Sequence, residues 1–417
     1  MLRIVHRICC GIDVHKKFVV ATIGTTNQAG TTEYKTKQFY TFTEDLQKLR
    51  EWLNQHNCQE VCMESTGKYW IPVFNILETE CNVFVANPKY VKGIRGKKTD
   101  KKDSIWLCDL HKHGLVPNSF IPPLIIRQIR DLMRYRTKLT NFKSSEKNRI
   151  QNSLTVSNIM LSSVVSDTFG KSSMRIINHI LEDPEDKDFD VVPMLHSSMK
   201  KNAEDIAKSI NGNLTKPQAE KMAVCLSHLQ SIEKLKMEIE SAVLKLIEPY
   251  QEQISLILTV PGIKDVYTAI AIIGEIGVDM SVFQSSRHLC SWAGLTPQNN
   301  ESAGKKKSVR VSRAGAYIKP LLVQCANAAI KSKDCSYFRL RYEQIKQRRG
   351  HKKAIIAIAH MLLNCIYHML FKNESFDYKM YRIETVSKPK PSPKFTPEQA
   401  ILLLESLGAQ IILPAAQ

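Results

Sequence analysis

The stretch ICCGIDV at residues 8–14 sets the architecture of the first part of the chain. Its apolar run, Ile8–Ile12, predicts a buried strand that ends at an acid, Asp13. Further strands are predicted at Phe18–Ile23, Glu33–Phe42, Gln59–Met63 and Asn82–Ala86, and helices at Glu44–His56 and Trp70–Glu80. Strands that alternate with helices predict an α/β domain that ends near Gly114.

The composition is that of a globular protein with a polyanionic partner. The 417 residues include 59 Lys and Arg against 40 Asp and Glu, which gives a formal net charge of +19. A hydrophobic content of 43% argues against wholesale disorder. The excess of positive charge favours nucleic acid first and an anionic membrane second.

Membrane, secreted and disulfide classes are disfavoured. The uncharged stretch Ala354–Phe371 is about long enough to span a bilayer, but His360, Asn364 and His368 draw a polar stripe along it that is typical of a core helix. The N-terminus lacks the long apolar region of a secretory signal. The 11 cysteines are odd in number and form no C-x-x-C pair, so neither a disulfide framework nor a cysteine-based zinc module is expected. We expect a reduced, cytosolic protein without a membrane partner.

Composition and periodicity divide the chain into four parts. We predict an α/β domain at 1–125, a helical coiled-coil spacer at 126–253, a mostly helical C-terminal domain at 254–375, and a Pro-rich linker with a short terminal helix at 376–417. The spacer ends in a 3-4 repeat that predicts a coiled coil or a long helical hairpin and an oligomerisation surface. Its positions are Cys225, His228, Ile232, Leu235, Ile239, Ala242 and Leu246.

The spacer opens with a strongly basic helix at 127–149. Its eight cations are opposed by Asp131 and Glu146 alone. A solvated helix face and a contact with a nucleic-acid backbone both account for such a pattern. The candidate nucleic-acid contacts are Arg130, Arg134 and Lys138.

Four acids follow an order that suits phosphodiester chemistry. Asp13 and Glu64 each end an apolar strand, while Asp100 and Asp103 open a helix for which Thr99 is the predicted N-cap. The i, i+3 spacing puts both helical aspartates on one face. Carboxylates gathered in this way can hold one or two Mg²⁺. The cations around the helical pair are Lys89, Lys92, Arg95, Lys97, Lys98, Lys101 and Lys102.

A second candidate for chemistry is Ser302, in a small Gly-containing turn followed by cations. Those cations are Lys305, Lys306, Lys307, Arg310, Arg313 and Lys319. They could stabilise charge on a phosphate that the serine attacks. From the residues alone a basic loop that binds the backbone, with Ser302 as a turn residue, is favoured because no base is adjacent. Upstream, Val260–Lys264 indicates either a partial helix-hairpin-helix or an ordinary capped helix.

These motifs resemble those of the DEDD-type transposases of the insertion-sequence-110 family. The N-terminal motifs are Gly11–Val14, Met63–Gly67 and the segment from Asn87 to Asp103. The C-terminal motifs are Val260–Ile263, Ala293–Pro297, Ser302–Lys305 and Ser312–Gly315. Their order, with a helical spacer between, is specific although each motif alone is weak.

The resemblance implies an RNase H-like (RuvC-like) N-terminal domain, a coiled-coil spacer and a C-terminal transposase domain. It implies that Asp13, Glu64, Asp100 and Asp103 bind Mg²⁺ and that Ser302 is a nucleophile that links covalently to DNA. Ala303 stands where the family often has Gly or Ser.

The partners that the resemblance implies are donor and target double-stranded DNA and a structured non-coding bridge RNA. It also implies a homo-oligomer, dimer or tetramer, whose two catalytic domains meet from different protomers. The expected location is the bacterial or archaeal cytosol, in association with the nucleoid.

Two other functions compete with recombination. A hydrolytic RuvC-like resolvase or nuclease would use the acids and leave Ser302 structural, and it would form no covalent protein–DNA adduct. A non-catalytic RNA- or DNA-binding protein would use the basic helices alone and would carry out no strand exchange.

Overall fold

The computed structural model describes residues 2–65, 67–91, 99–186, 189–297, 300–302, 305–308 and 310–381. The chain forms two compact units, Met1–Pro123 and Leu124–Gln417. The predicted terminal helix and the Pro-rich linker lie outside the described residues from 382 onward. The division of the second unit into a spacer and a transposase domain stays a prediction.

The first unit is built on a mixed five-stranded sheet with the order β3-β2-β1-β4-β5. Its strands are β1 (Ile8–Val14), β2 (Phe18–Thr26), β3 (Thr32–Tyr40), β4 (Glu60–Glu64) and β5 (Asn82–Ala86). Its helices are α1 (Thr43–Gln55), α2 (Trp70–Leu77), α3 (Pro88–Val91) and α4 (Asp100–Lys112). β1 pairs antiparallel with β2 and parallel with β4, and β4 pairs parallel with β5. The strands and helices predicted from periodicity are present, with small shifts at their ends.

Alternation along the strands separates the two faces of this sheet. On one face, Ile12 and Met63 belong to the main core together with Leu49 of α1 and Val73 of α2. Because successive side chains of a strand point to opposite faces, the neighbouring positions face the other way. Cys62 accordingly packs in a second core that includes Leu107 of α4.

Helix α4 lies directly on the backbone of β1 at Gly11. A Cβ atom at this position would stand 2.2 Å from the Ser104 carbonyl oxygen and 2.3 Å from the Cys108 amide nitrogen, so a larger side chain would displace the helix. The buried hydroxyls of Thr22 and Ser104, 2.7 Å apart, bond beside this contact. α4 runs antiparallel to β1, because Cys9 meets Cys108 with the two Sγ atoms 3.7 Å apart while Gly11, further along the strand, meets the earlier residue Ser104. The N-terminus of α4 therefore lies at the end of β1.

The second unit is mostly helical. Its α-helices are α5 (Leu124–Val156), α6 (Lys171–Glu182), α7 (Ala203–Ile210), α8 (Lys216–Leu246), α9 (Gln251–Leu258), α10 (Val266–Ile276), α11 (Ser286–Trp292), α12 (Ile318–Ala329), α13 (Ser336–Arg349) and α14 (His351–Lys372). Two short strands, β6 (Asn300–Ser302) and β7 (Lys305–Ser308), form a hairpin. The 3₁₀ helices are Leu161–Ser163, Val192–Met194, Ser197–Asn202, Glu248–Tyr250, Met280–Val282 and Tyr378–Tyr381.

Helices α5 and α8 pack antiparallel as a long hairpin within the chain. Ion pairs join them along their length: Arg136 to Glu240 at 2.7 Å and Lys143 to Glu233 at 2.5 Å. The repeat thus packs on α5 of the same chain, and the choice between a coiled coil and a helical hairpin stays a prediction, as does the oligomerisation surface. Its buried positions include Cys225, Leu229, Ile232 and Val243, whereas His228 and Leu235 of the predicted seam are exposed. The buried seam therefore runs through Leu229 in place of His228 and through Val243 in place of Ala242.

Helix α14 carries the long apolar stretch. Among the described residues it is the one helix long and apolar enough to cross a membrane, and 56% of its apolar window is buried inside the protein. It packs against α9, α11, α12 and α13. A mostly buried helix of this kind is typical of a protein core.

Candidate active site

Asp13 and Glu64 stand at neighbouring strand ends. The parallel pairing of β1 with β4 aligns Ile12 with Met63, and the two acids are the residues that follow. Since Ile12 and Met63 face the main core, both acids belong to the opposite face, which α4 covers. The parallel direction of the two strands thus puts both carboxylates at one edge of the sheet.

Asp100 and Asp103 lie in the first turn of α4. Thr99 has extended backbone angles, and its side chain accepts a hydrogen bond from the Lys102 backbone N–H at 3.3 Å, so the predicted N-cap is present. Acids in a first turn interact favourably with the helix dipole. The cap fixes where the helix begins, and with it the position of both aspartates.

The structure brings acids from β1 and α4 together around His15. The ligand atoms of Asp13, His15 and Asp100 all lie within 4.8 Å of one another. His15 Nε2 is 3.1 Å from Asp13 Oδ2 and 3.5 Å from Asp100 Oδ1. Burial raises the pKa of Asp13, the negative charges of Asp100 and Asp103 raise it further, and His15 opposes this shift. Three of the four predicted acids are therefore close enough to interact.

This donor set fits a hard divalent cation. Carboxylate oxygens are the ligands that Mg²⁺ prefers, and a cation would relieve the repulsion that raises the pKa of Asp13. The side chain of Asp13 is 16% exposed and that of Asp100 is 50% exposed, so the cluster is reached from solvent. The role of Asp13, Glu64, Asp100 and Asp103 as metal ligands stays a prediction.

His15 belongs to this cluster although the sequence motifs predicted no role for it. It follows Asp13 by two positions, and in an extended strand that spacing puts both side chains on one face. The ring of His15 also packs on that of Phe18, with the centroids 4.7 Å apart. The i, i+2 spacing could therefore have predicted that His15 lies beside Asp13. The approach of Asp100 could not be predicted in this way, because it depends on the packing of α4.

The cations predicted beside the acids are partly described. Lys101 and Lys102 lie exposed in the first turn of α4. Lys98 lies outside the described residues. Their contact with nucleic acid stays a prediction.

Ser302 ends the first strand of the β6–β7 hairpin. Its backbone pairs with Lys305 across the turn, and Ala303 and Gly304 lie outside the described residues. For Ser302, Lys305 and Lys306 the structure describes the backbone. Arg310 and Arg313, which follow, are exposed.

Two glycine motifs close the base of this hairpin. A Cβ atom on Gly315 would lie 2.1 Å from the Ala293 carbonyl oxygen, and one on Gly294 would lie 2.5 Å from that of Ala314. Both glycines have positive φ, which favours glycine. Ser312 accepts a hydrogen bond from the Ala314 N–H at 3.2 Å, so it is a turn residue. The motifs at 293–297 and 312–315 thus hold two backbone segments together and leave the hairpin between them.

The segment at 260–264 is a turn before a capped helix. The Asp265 carboxylate accepts a hydrogen bond from the Thr268 N–H at 2.9 Å at the start of α10. Gly262, with φ of +87°, packs so closely on α12 that a Cβ atom would stand 2.5 Å from both the Cys325 carbonyl oxygen and the Ala329 amide nitrogen. The segment thus joins α9 to the capped α10 through a turn at Gly262, an arrangement that fits both alternatives, and the choice between them stays a prediction.

The arginines predicted to bind nucleic acid contact the end of α10. Arg130 donates to the carbonyl oxygens of Gly274 and Glu275, both at 2.8 Å. Arg134 binds the Glu275 carboxylate with two hydrogen bonds of 2.7 and 2.8 Å and stacks on Tyr317. Lys138, one turn further along, is exposed. The structure thus gives Arg130 and Arg134 a packing role, and nucleic-acid binding by all three stays a prediction.

Comparison with known proteins identifies two transposase segments. A family model described as Transposase, of the DEDD type, matches residues 10–159, and one described as Transposase IS116/IS110/IS902 family matches residues 254–343. The chain is similar to the pilin gene-inverting proteins of Moraxella lacunata and Moraxella bovis, with 31% identity to each over 137 residues. These matches cover 30% of this chain and 39% of each relative. The first match contains the acid cluster and the second contains the serine hairpin, and the chain therefore belongs to the IS110 family of transposases.

Proposed function

We propose that this chain is the DNA recombinase of an insertion sequence, which cuts and rejoins donor and target DNA. The observation that carries the proposal is the approach of Asp13, Asp100 and Asp103 at the end of β1, within the segment that matches a DEDD transposase. The mixed sheet with α4 across β1 supports an RNase H-like, RuvC-like domain. Relatives named for inverting a pilin gene support recombination over cleavage alone.

In this proposal Asp13, Glu64, Asp100 and Asp103 hold Mg²⁺. When bound, the ion stabilises negative charge on the phosphate and activates the attacking oxygen. His15 keeps the carboxylates of Asp13 and Asp100 in place, because its Nε2 lies within 3.1 Å of the former and 3.5 Å of the latter. The exposed Lys101 and Lys102 attract the DNA backbone toward this end of the sheet.

Ser302 is the proposed nucleophile. Its hydroxyl oxygen attacks the phosphorus and its proton passes to water. The bond from phosphorus to one deoxyribose oxygen breaks, and that oxygen takes up a proton from water to become a sugar hydroxyl. The phosphate remains a diester, because the new bond to the serine oxygen replaces the broken bond to the sugar oxygen. Attack by the sugar hydroxyl of another strand then reforms a DNA bond and releases the serine. Lys305, Lys306, Arg310 and Arg313 are the proposed cations that stabilise the developing charge.

A structured bridge RNA and a homo-oligomer complete the proposal, as the family resemblance implies. The net charge of +19 suits a protein that binds both RNA and DNA. Action on the element's own DNA requires a cytosolic, nucleoid-associated protein.

The test of the serine chemistry is a covalent adduct. Full-length protein, Mg²⁺, the non-coding RNA that flanks its gene, and paired donor and target DNA are mixed, and the products are run on a denaturing protein gel. Wild type is expected to shift labelled DNA into a protein-bound band, and Ser302→Ala is expected to lose that band and keep DNA binding. The matched control is Ser312→Ala, which alters a turn hydroxyl and retains most of the adduct.

Two outcomes would overturn the serine assignment. An adduct that survives Ser302→Ala would assign the nucleophile to another residue. Mg²⁺-dependent cleavage by wild type with no adduct would favour the hydrolytic resolvase, in which the acid cluster acts alone.

The test of RNA binding separates charge from packing on α5. Lys138 is exposed, whereas Arg134 is paired with Glu275. If α5 contacts the RNA backbone, Lys138→Gln lowers the salt dependence of binding by about one counterion and leaves the melting temperature unchanged. An unchanged salt dependence would indicate that this face of α5 is solvated and does not contact the RNA. Arg134→Gln, the comparison variant, is expected to lower the melting temperature because Glu275 loses its partner.

A further inference from the structure

A second group of metal-ligand side chains lies in the first unit, outside the acid cluster. His6 precedes β1, Glu60 begins β4 and His111 lies in the last turn of α4. Their ligand atoms all lie within 4.8 Å of one another. Glu60 Oε2 is 3.6 Å from His6 Nδ1 and 3.7 Å from His111 Nε2. Three elements that are remote in sequence thus bring two imidazoles and a carboxylate close together.

His111 is the anchor of this group. Its side chain is 2% exposed, and its Nε2 atom is buried without a hydrogen-bond partner among the described residues. A buried polar atom without a partner is costly, so its position requires an explanation. Burial, together with the neighbouring His6, lowers the pKa of His111 to about 4, so the imidazole is neutral at physiological pH and can donate a lone pair.

We propose that His6, Glu60 and His111 form a binding site for Zn²⁺, with the fourth position left for water. Bonds of about 2.1 Å in a tetrahedron separate ligand atoms by about 3.4 Å, close to the 3.6 and 3.7 Å that separate Glu60 Oε2 from the two imidazole nitrogens. Imidazole nitrogens with a carboxylate favour zinc over Mg²⁺, which prefers oxygen ligands. The site is therefore distinct in chemistry from the carboxylate cluster, and it does not depend on the proposed function.

Loading the site requires a small movement of His6. The rings of His6 and His111 stack with centroids 4.6 Å apart and an interplanar angle of 20°, and lone pairs that lie in nearly parallel planes do not meet at one ion. His6 is half-buried, so its ring can rotate about the side-chain bonds that join it to the backbone. The buried His111 stays fixed. The Asn82 amide donates to Glu60 Oε2 at 3.1 Å and would orient this ligand.

A bound ion would fasten the end of α4 to the sheet. The His6 backbone N–H already donates to the Lys112 carbonyl oxygen at 3.1 Å, so the segment before β1 and the end of α4 are joined there. The ion adds Glu60 of β4 to this junction. Its expected effect is stabilisation of the fold by binding the native state.

The test measures Zn²⁺ binding in a protein whose acid cluster cannot compete. The host is the full chain with Asp13→Asn and Asp100→Asn, and the probe is Zn²⁺ alone, followed by calorimetric titration. The host is expected to bind one equivalent, and His6→Gln in the host is expected to bind at least about 100-fold more weakly, since even loss of an outer contact weakens metal sites by about 10–100-fold. Zn²⁺ is expected to raise the melting temperature of the host and not that of the His6→Gln variant.

The matched control is His113→Gln, two residues beyond His111. The His113 ring bonds to the Arg3 carbonyl oxygen and is not part of the group, so Zn²⁺ affinity is expected to stay at the host value. His6 is chosen over the buried His111 because its replacement leaves the core intact. Co²⁺ in the host is expected to give the strong visible absorption of a four-coordinate site.

Three outcomes would overturn the proposal. The host fails to bind Zn²⁺, it binds equally well after His6→Gln, or Co²⁺ gives the weak spectrum of a six-coordinate oxygen site. Loss of recombination in the Asp13 variants has no bearing on these results, so failure of this proposal and failure of the proposed function are distinguishable.

Discussion

The two ends of α4 meet two polar groups of opposite character. At the N-terminus, Asp100 and Asp103 approach Asp13 in a cluster that solvent reaches. At the C-terminus, His111 is buried against His6 and Glu60. The same helix, seated on one glycine of β1, positions both groups, while burial and ligand type differ between them. One packing contact can therefore position two polar groups whose burial and side-chain types differ.

The largest expected effect comes from a substitution that disrupts only the acid cluster at the N-terminus of α4. Asp13→Asn is expected to lower Mg²⁺-dependent DNA strand transfer by about 1000-fold, because a metal supplies several kcal/mol and each 1.4 kcal/mol is tenfold in rate. RNA binding and Zn²⁺ binding at the other end should remain. The control is Asp45→Asn, an acid of α1 that pairs with Lys48 on the surface. Full activity of Asp13→Asn would remove this residue from the site.

The next prediction concerns a substitution that should disturb the groups at both ends of α4 at once. Gly11→Ala would place a Cβ atom 2.2 Å from the Ser104 carbonyl oxygen, so α4 must shift. We expect a loss of about 3 kcal/mol in the free energy of unfolding, measured in urea, as in other overpacked cores. Gly30→Ala, where a Cβ atom meets nothing within 4 Å, is expected to lose about 1 kcal/mol through its positive φ. Equal losses for the two variants would contradict the close contact.

The two ends should respond to pH with opposite signs. Burial lowers the pKa of His111 from 6.5 to about 4, so its contribution to stability is present above pH 6.5 and is lost as the pH falls toward 4. The difference in free energy is about 3 kcal/mol, from 1.36 kcal/mol per pKa unit. The pKa of Asp13 is raised in the folded state, so the folded protein binds this proton more readily than the unfolded chain. Protonation of Asp13 as the pH falls therefore stabilises the folded state.

Urea unfolding of chelator-treated protein from pH 7 to pH 4 measures both contributions. His111→Gln is expected to flatten the loss of stability toward low pH, and Asp13→Asn is expected to steepen it. The same pH profile in both variants would contradict the opposite signs.

The smallest effect sharpens the comparison at the acid end. Thr99→Ala removes the hydroxyl that accepts the Lys102 N–H, which is expected to lower the free energy of unfolding by about 1 kcal/mol. Hydrogen exchange of the Lys102 amide should accelerate, while exchange around His111 stays unchanged. Thr99→Ser keeps the hydroxyl and serves as the control. Equal exchange at Lys102 in the two variants would rule out the cap.

The sequence predicted features that depend on neighbours a few residues apart. Strand alternation, helix period, the Thr99 cap and the i, i+3 spacing of Asp100 and Asp103 are local, because side-chain direction repeats within one or two turns. The sequence also predicted that Asp13 and Glu64 each end an apolar strand, and the parallel pairing of β1 with β4 then put both at one edge of the sheet. The family followed from the order of these short motifs.

Tertiary structure decided which remote residues meet. The sequence left the basic residues of α5 open to a solvated face or a nucleic-acid contact, and the structure adds that Arg134 pairs with Glu275 of α10. The 3-4 repeat of α8 had no partner in the sequence, and in the structure it packs on α5. Likewise, sequence spacing does not predict the group formed by His6, Glu60 and His111, because its members come from three elements that are remote in sequence. Such contacts depend on how closely two backbones can approach, and at Gly11 the missing side chain sets that distance for the whole of α4.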